Sequence, residues 1–517
     1  MNQSGQRIQQ TRRAPRRLRL GLILTAAALI ALAAFLLHRP LTPQDVEAWN
    51  PLVAGYTVVQ FFPAAVFILC AATLALISLS RSRDAMRRRL RKFLTASISS
   101  AVCLVLLDII LSIFPRLQSA FIDSSLFLPG SDLQVQDKEL GYRLKPHINR
   151  GGRFDPSRAG NLIAEGQVVN PEATGEESTD VELRTDDAGF CNDAAPAQCD
   201  IVATGDSYVA QSPVPREDYW PVIAARQLSM SLYNLGVGGY GPQQELGVLK
   251  RYGLPKNPKY VLWGFFEGND IRDAVNFWEY EKSGVSWLEF NGVSKMKFPY
   301  TRPTVRLMMF LVKALGMTPS GPKSTSVPYP APLGLKAGGV ERPVSFERGA
   351  FRTLTLSRGQ LMDSAGWTET TKALREARES CLAKGAKLIV VFLPDKFSVF
   401  ADEALARFER DKEEIFAFVK PALSETILRD ASGGKISAEK FVEILRENHA
   451  AQLEALKDFC AKEGIEFLDT TPALRESLKA GKWPYYSYDT HVNITGENVI
   501  AATVASFIKS PAPPQVP

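Results

Sequence analysis

Histidine is scarce in this chain: four in 517 residues, at positions 38, 147, 449 and 491. None is spaced from another histidine or a cysteine as metal ligands are, so nothing points to a metal centre. Six cysteines are too few and too scattered to frame a small disulfide scaffold. No basic stripe suggests a nucleic-acid surface. Charge is missing in three places. The runs 20–37 and 52–80 carry none, and the run 94–114 carries only Asp108.

Each run is long enough to cross about 30 Å of hydrocarbon as a helix. Residues 1–94 hold 14 Lys/Arg and 3 Asp/Glu, a net +11, against +6 for the whole chain. Arg12, Arg13, Arg16, Arg17 and Arg19 precede the first run. Arg81, Arg83, Arg87, Arg88, Arg89, Arg91 and Lys92 separate the second from the third. The positive-inside rule then predicts a cytoplasmic N-terminus, three spans in the inner membrane, and everything after Pro115 on the periplasmic or extracellular side. The alternative makes the first run a cleaved leader, ending at Ala31-Leu32-Ala33. An acid inside a span is costly. For Asp108 the expectation is snorkelling toward the outer interface, or contact with a partner membrane protein such as an acyl-group exporter.

Residues 1–115 therefore read as a membrane region and 116–199 as a linker with an irregular lead-in. An α/β rhythm occupies 200–510. Apolar strands are predicted at 201–204, 230–234, 260–266, 387–393 and 465–469. Helices are predicted at 216–229, 243–251, from 368, around 440–462 and at 496–508. Short apolar strands alternating with helices imply a parallel sheet covered on both faces. Insertions at 275–365 and 398–438 interrupt the rhythm. The first is rich in aromatics (Trp278, Tyr280, Trp287, Phe290, Phe298, Tyr300), and either shapes a substrate site or decorates the fold. In an oxidising compartment Cys191 and Cys199 are expected to form a disulfide, and Cys381 and Cys460 are a second candidate pair.

Four short segments sit at strand ends. Gly205-Asp206-Ser207 follows the first strand. Asn234-Leu235-Gly236-Val237-Gly238-Gly239-Tyr240-Gly241 follows the second, Gly268-Asn269-Asp270 the third, and Asp489-Thr490-His491 precedes the last helix. A serine needs an imidazole to take its proton and a carboxylate to hold that imidazole in the useful tautomer. Each segment alone is an ordinary turn or polar surface. Their value lies in their order, because ligands of such sheets bind beyond the carboxyl ends of the strands.

These four segments resemble the blocks of the SGNH (GDSL-type) hydrolase family over residues 200–510. The resemblance implies a flavodoxin-like three-layer α/β/α sandwich. It also implies Ser207 as nucleophile, His491 as general base, and Asp489 as the residue orienting it. The oxyanion hole would be the Ser207 N–H, the Gly239 N–H and the Asn269 side chain, with neither metal nor cofactor. Many members have Asp-x-x-His and a Gly where Glu267 stands. The Asp-x-His spacing here, and Pro394-Asp395-Lys396, look like the subset acting on exopolysaccharides, alginate O-acetylation proteins included. In some of that subset the pair precedes the serine. The expected activity is a serine esterase or O-acyltransferase acting on acyl, chiefly acetyl, esters of an exported or cell-surface glycan. The alternatives are a lipid or lysophospholipid esterase, and a non-catalytic glycan-binding subunit of an export or acylation complex.

Overall fold

The computed structural model describes residues 16–39, 52–53, 56–113, 133–154, 179–287, 290, 302–314, 333–423, 427–428 and 435–510. The chain divides into two compact units, Met1–Asp132 with Leu288–Thr325, and Leu133–Trp287 with Ser326–Pro517.

In the first unit, α1 (Arg16–His38), α2 (Val58–Ser78) and α3 (Arg83–Ile113) are long and apolar enough to cross a membrane. At 31 residues, α3 is about 46 Å long and takes in the arginine-rich stretch predicted as a loop. The second helix is shorter than expected, since Leu52–Val53 and Tyr56–Thr57 pair as a small antiparallel hairpin ahead of it. Gln60 joins α1 to α2. Its Oε1 accepts from Thr57 N, and its Nε2 donates to the carbonyls of Leu36 and Arg39. A fourth helix, Pro303–Ala314, comes from the aromatic-rich insertion and packs on α2 and α3. Its Met309 and Val312 are buried with Val53 and Val58.

Asp108 finds its polar partners within the chain. It is 4 % exposed. Its carboxylate accepts from Arg302, from Thr304 N (3.2 Å) and from Thr304 Oγ1 (2.9 Å). The acid thus satisfies an orphan amide in the first turn of the Pro303–Ala314 helix and faces the positive end of its dipole.

The second unit is built on five parallel strands: β1 (Ile201–Thr204), β2 (Leu232–Asn234), β3 (Tyr260–Phe266), β4 (Lys387–Leu393) and β5 (Glu466–Asp469), in the spatial order β5-β4-β3-β1-β2. Lys387 lies opposite Tyr260, and Ile201 opposite the same residue on the other side. Alternate side chains feed two separate apolar clusters. Ile201, Ala203, Leu262, Ile389 and Val391 pack with helices Trp220–Leu228 and Ile494–Lys509. Val202, Val261, Trp263, Val390 and Phe392 pack with helices Pro242–Val248, Ala365–Ala383 and Ala451–Glu463. Burial on both faces is why these strands read as unbroken apolar runs. The 398–438 insertion extends the first cluster through Phe408, Ile415 and Val419.

Three expectations change. The lead-in is regular: Gln134–Asp137 pairs with Gly141–Leu144, and Asn149–Phe154 with Thr179–Arg184. The helix predicted around 440–462 is two, Ala438–Asn448 and Ala451–Glu463. The expected disulfides are absent, and all six cysteines are free thiols. Cys191 packs with Ala210, Val214, Tyr219 and Tyr486, whereas Cys199 belongs to the cluster around Val202 and Tyr233. Sequence proximity put them in one loop, but they face different packing environments. Cys381 and Cys460 share a cluster without bonding.

Asp108 is more deeply buried than its partner, since 54 % of the Arg302 side chain is exposed. Removing the arginine strands a buried carboxylate, whereas removing the acid leaves a solvated guanidinium. Arg302→Ala is therefore expected to cost the full-length protein on the order of 3 kcal/mol. Asp108→Leu should cost less, and the double variant should recover part of the arginine loss. Denaturant melts in detergent would measure all three.

Candidate active site

The sheet order reverses between β3 and β1, where an open α/β sheet forms its binding crevice. Ser207 and Asn269 follow the ends of these two strands. Gly205 makes the turn at the tip of β1. Its φ is +154°, and an added Cβ would lie 2.3 Å from Val209 Cγ2 and 2.8 Å from the Gly264 carbonyl. Beyond it, the Asp206 carbonyl accepts from the amides of Val209 and Ala210.

His491 arrives on the 484–493 loop. Tyr485 and Val492 form an antiparallel bridge. Asn493 donates to the carbonyls of Trp483 and Tyr485 while its Oδ1 caps the Ile494–Lys509 helix. The Tyr485 hydroxyl donates to Pro394 O at 2.6 Å, tying the loop to the end of β4. The Tyr208 hydroxyl donates to Thr490 O at 2.5 Å, and its ring lies 5.0 Å from that of His491.

Ser207 Oγ lies 2.9 Å from His491 Nε2, and His491 Nδ1 lies 2.6 Å from Asp489 Oδ1. The network assigns the proton to Nδ1, leaving Nε2 to accept from the serine. The same Asp489 oxygen accepts the His491 backbone amide at 2.8 Å. With one residue between them, the carboxylate grips both the backbone and the ring of the histidine. The other histidines do other things. His38 and His449 sit against carbonyls one helical turn back, and His147 meets Asp187 at the surface.

Burial alone would raise Asp489, but the charge and hydrogen bonds of His491 hold it below the ordinary carboxylate value. Burial alone would lower His491, but the Asp489 charge and hydrogen bond outweigh it, with Asp206 and Glu497 adding to them, so its pKa lies above 6.5.

Gly239 has φ +80° and is exposed, and Asn269 is half-buried at the start of helix Asp270–Ser283. Burial raises Asp206, while the Tyr208 N–H, the Asn269 side chain, the His491 charge and the Ser207 N–H oppose that. Two of the three expected oxyanion donors therefore also face Asp206. Glu267 is fully buried, accepts Asp395 N at 2.8 Å and is pushed up by burial to about 8. It bridges the ends of β3 and β4 as a neutral acid.

Sequence reading passed over Lys396 as a site group, along with Glu497, Tyr208, Gln211 and Tyr142. Lys396 is 1 % exposed. Its Nζ donates to Ser345 O at 2.9 Å and to Ser487 O at 3.4 Å, and its charge helps keep Asp489 ionised. Glu497 accepts Ser212 Oγ at 2.6 Å and Trp220 N at 2.8 Å. Lys396 carried only the likeness of its Pro394-Asp395-Lys396 segment, and a glutamate in a helix reads as surface charge. Among the described residues no group of His, Cys, Asp and Glu could hold a metal ion.

No protein-family profile and no curated protein matches the chain. Among solved structures, a G-D-S-L family protein from Desulfitobacterium hafniense DCB-2 is 12 % identical, with 59 % of this chain and 97 % of that one covered and a TM-score of 0.25. A GDSL-like lipase from Bacteroides thetaiotaomicron VPI-5482 is 8 % identical, with 60 % and 87 % covered and a TM-score of 0.26.

Two titrations follow. Histidine NMR should place the His491 pKa above 6.5, and Asp489→Asn should lower it, because the largest opposition to burial is then lost. Burial raises Glu497 to about 8 from 4.5. Between those values the folded protein holds a proton that the unfolded chain has released, so stability falls as pH rises. Glu497→Gln should flatten that fall. Relative to wild type it should gain on the order of a few kcal/mol between about pH 5 and about pH 8 in denaturant melts.

Proposed function

We propose that the chain is a membrane-anchored serine enzyme of the SGNH type, transferring acyl groups from esters through Ser207 on a three-layer α/β/α sandwich. The observation that carries this reading is the relay Ser207 Oγ–His491 Nε2 (2.9 Å) and His491 Nδ1–Asp489 Oδ1 (2.6 Å). His491 takes the serine proton as Oγ attacks the ester carbonyl. The Gly239 and Ser207 amides and the Asn269 side chain stabilise the oxyanion, each donor worth about 3 kcal/mol of barrier. Collapse expels the alcohol, which takes its proton from His491. Water or a sugar hydroxyl, deprotonated by the same imidazole, then attacks the acyl-enzyme.

The single-residue spacing of Asp489 and His491, and the Pro394-Asp395-Lys396 segment, support an acetylated glycan as substrate. The basic flanks of α1 and α3 support a cytoplasmic N-terminus, with Ser207 on the far side of the membrane.

The full-length protein in detergent should react with a fluorophosphonate probe, and Ser207→Ala should not. Failure of the folded wild type to label would sink the reading. The rate on a chromogenic acetate ester should fall at acid pH with an apparent pKa above 6.5. Asp489→Asn should lower kcat by roughly 10⁴-fold. Mass spectrometry with an acetyl donor and candidate oligosaccharides separates the two acceptors: free acetate alone identifies a hydrolase, acetylated sugar a transferase.

A further inference from the structure

The Gly238–Gly239 segment carries one of the expected oxyanion donors, yet two glycines in succession have little intrinsic reason to hold one conformation. The segment lies against the nucleophile: a Cβ built on Gly238 would be 3.5 Å from Ser207 Cβ. Its Gly238 peptide groups are gripped from both sides. The Gly238 amide donates to Gln211 Oε1 at 2.6 Å, and the Gly238 carbonyl accepts from the Tyr142 hydroxyl at 2.7 Å.

Both gripping residues are themselves constrained. Gln211 has φ +77°, the left-handed region, which costs a residue with a side chain on the order of 1 kcal/mol. Such a conformation persists only where surroundings enforce it, and it tends to mark functional positions. Here it aims a side-chain carbonyl at the glycine loop. Tyr142 comes from the Gly141–Leu144 strand of the lead-in hairpin and is 5 % exposed. Its ring stacks on Trp287 (5.3 Å between centroids) and meets Tyr240 edge-on at 5.1 Å. Its own carbonyl accepts from the Tyr240 hydroxyl at 2.5 Å, and the neighbouring Leu140 carbonyl accepts from Gln244 Nε2 at 2.7 Å. Burial raises the Tyr142 phenol, and Asp273 and Asp206 raise it further, so it stays protonated and donates.

We propose that Gln211 and Tyr142 are positioning residues that lock the plane of the Gly238–Gly239 peptide and so aim the Gly239 N–H at the oxyanion. The carbonyl held by Tyr142 and the amide of Gly239 belong to one peptide unit, so fixing one end fixes the direction of the other. The inference rests on the acyl-transfer reading and assigns that site two further residues. One of them lies outside the α/β core, on the lead-in hairpin.

The test uses the full-length protein in detergent, a chromogenic acetate ester and a boronic acid that mimics the tetrahedral intermediate. Tyr142→Phe keeps the ring and removes the donor. Gln211→Ala removes the acceptor, and Gln211→Glu restores one. The expected result is a kcat lower by roughly ten- to a hundredfold for Tyr142→Phe and Gln211→Ala, with KM nearly unchanged. Boronate affinity should fall by a similar factor, and Gln211→Glu should recover much of the loss. Unchanged kcat in both, or losses in KM alone with boronate affinity intact, would overturn the assignment. Ser207→Ala separates the two levels. If it abolishes turnover while the clamp variants match wild type, the clamp alone falls. If it retains turnover, the acyl-transfer reading falls and takes the clamp with it. Thermal melts alongside show whether a slow variant is merely unfolded.

Discussion

The contact between Ser207 and His491 joins positions 284 residues apart, and much of the second unit exists to hold it. One partner stands on the turn after β1, where only glycine fits at 205. The other stands on a loop pinned by the Tyr485–Val492 bridge, by the Asn493 amide and by the Tyr485 hydroxyl. A hydrogen bond between such groups needs heavy atoms within about 2.5–3.2 Å and a near-linear angle. The sheet register, the loop and the last helix must therefore agree before the serine meets its base.

The strands and their rhythm were legible because burial on both faces leaves an unmistakable mark, as in Lys387-Leu388-Ile389-Val390-Val391-Phe392-Leu393. The chemistry-bearing residues were legible because they follow strand ends in a fixed order. What stayed hidden has physical reasons. The lead-in hairpin is polar on one side and short, so its strands carry little periodic signal. Gln211 has no glycine to advertise its positive φ. Lys396 and Glu497 are charged residues that the fold buries against its own backbone, and no local pattern announces that. The disulfide expectation failed because nearness in sequence says nothing about which way two side chains face.

Carboxyl groups are buried beneath the crevice in unusual number. Asp206, Glu245, Asp270, Asp273, Glu267 and Asp395 all titrate above their ordinary values, burial being the first cause in each. Glu245 raises Asp270 further, and Asp206 raises both. Burial thus disfavours charge at the floor of the crevice, and Glu267, pushed up to about 8, is protonated at neutral pH.

The helix Pro303–Ala314 completes the first unit, although the polypeptide reaches it from inside the second. The chain crosses between the units three times, after residues 132, 287 and 325. During synthesis the first unit stays unfinished until β1, β2 and β3 have been made, and the sheet must then wait through the excursion for β4 and β5. Neither unit can be inherited as a clean cassette. Cutting away the first 132 residues would free a soluble-looking remainder carrying an orphan apolar helix, with Met309 and Val312 stripped of their cover and inviting aggregation. Recombination, domain shuffling or proteolytic release at residue 132 would split the first unit and leave its fourth helix inside the second, so the two parts of this chain are bound to evolve together.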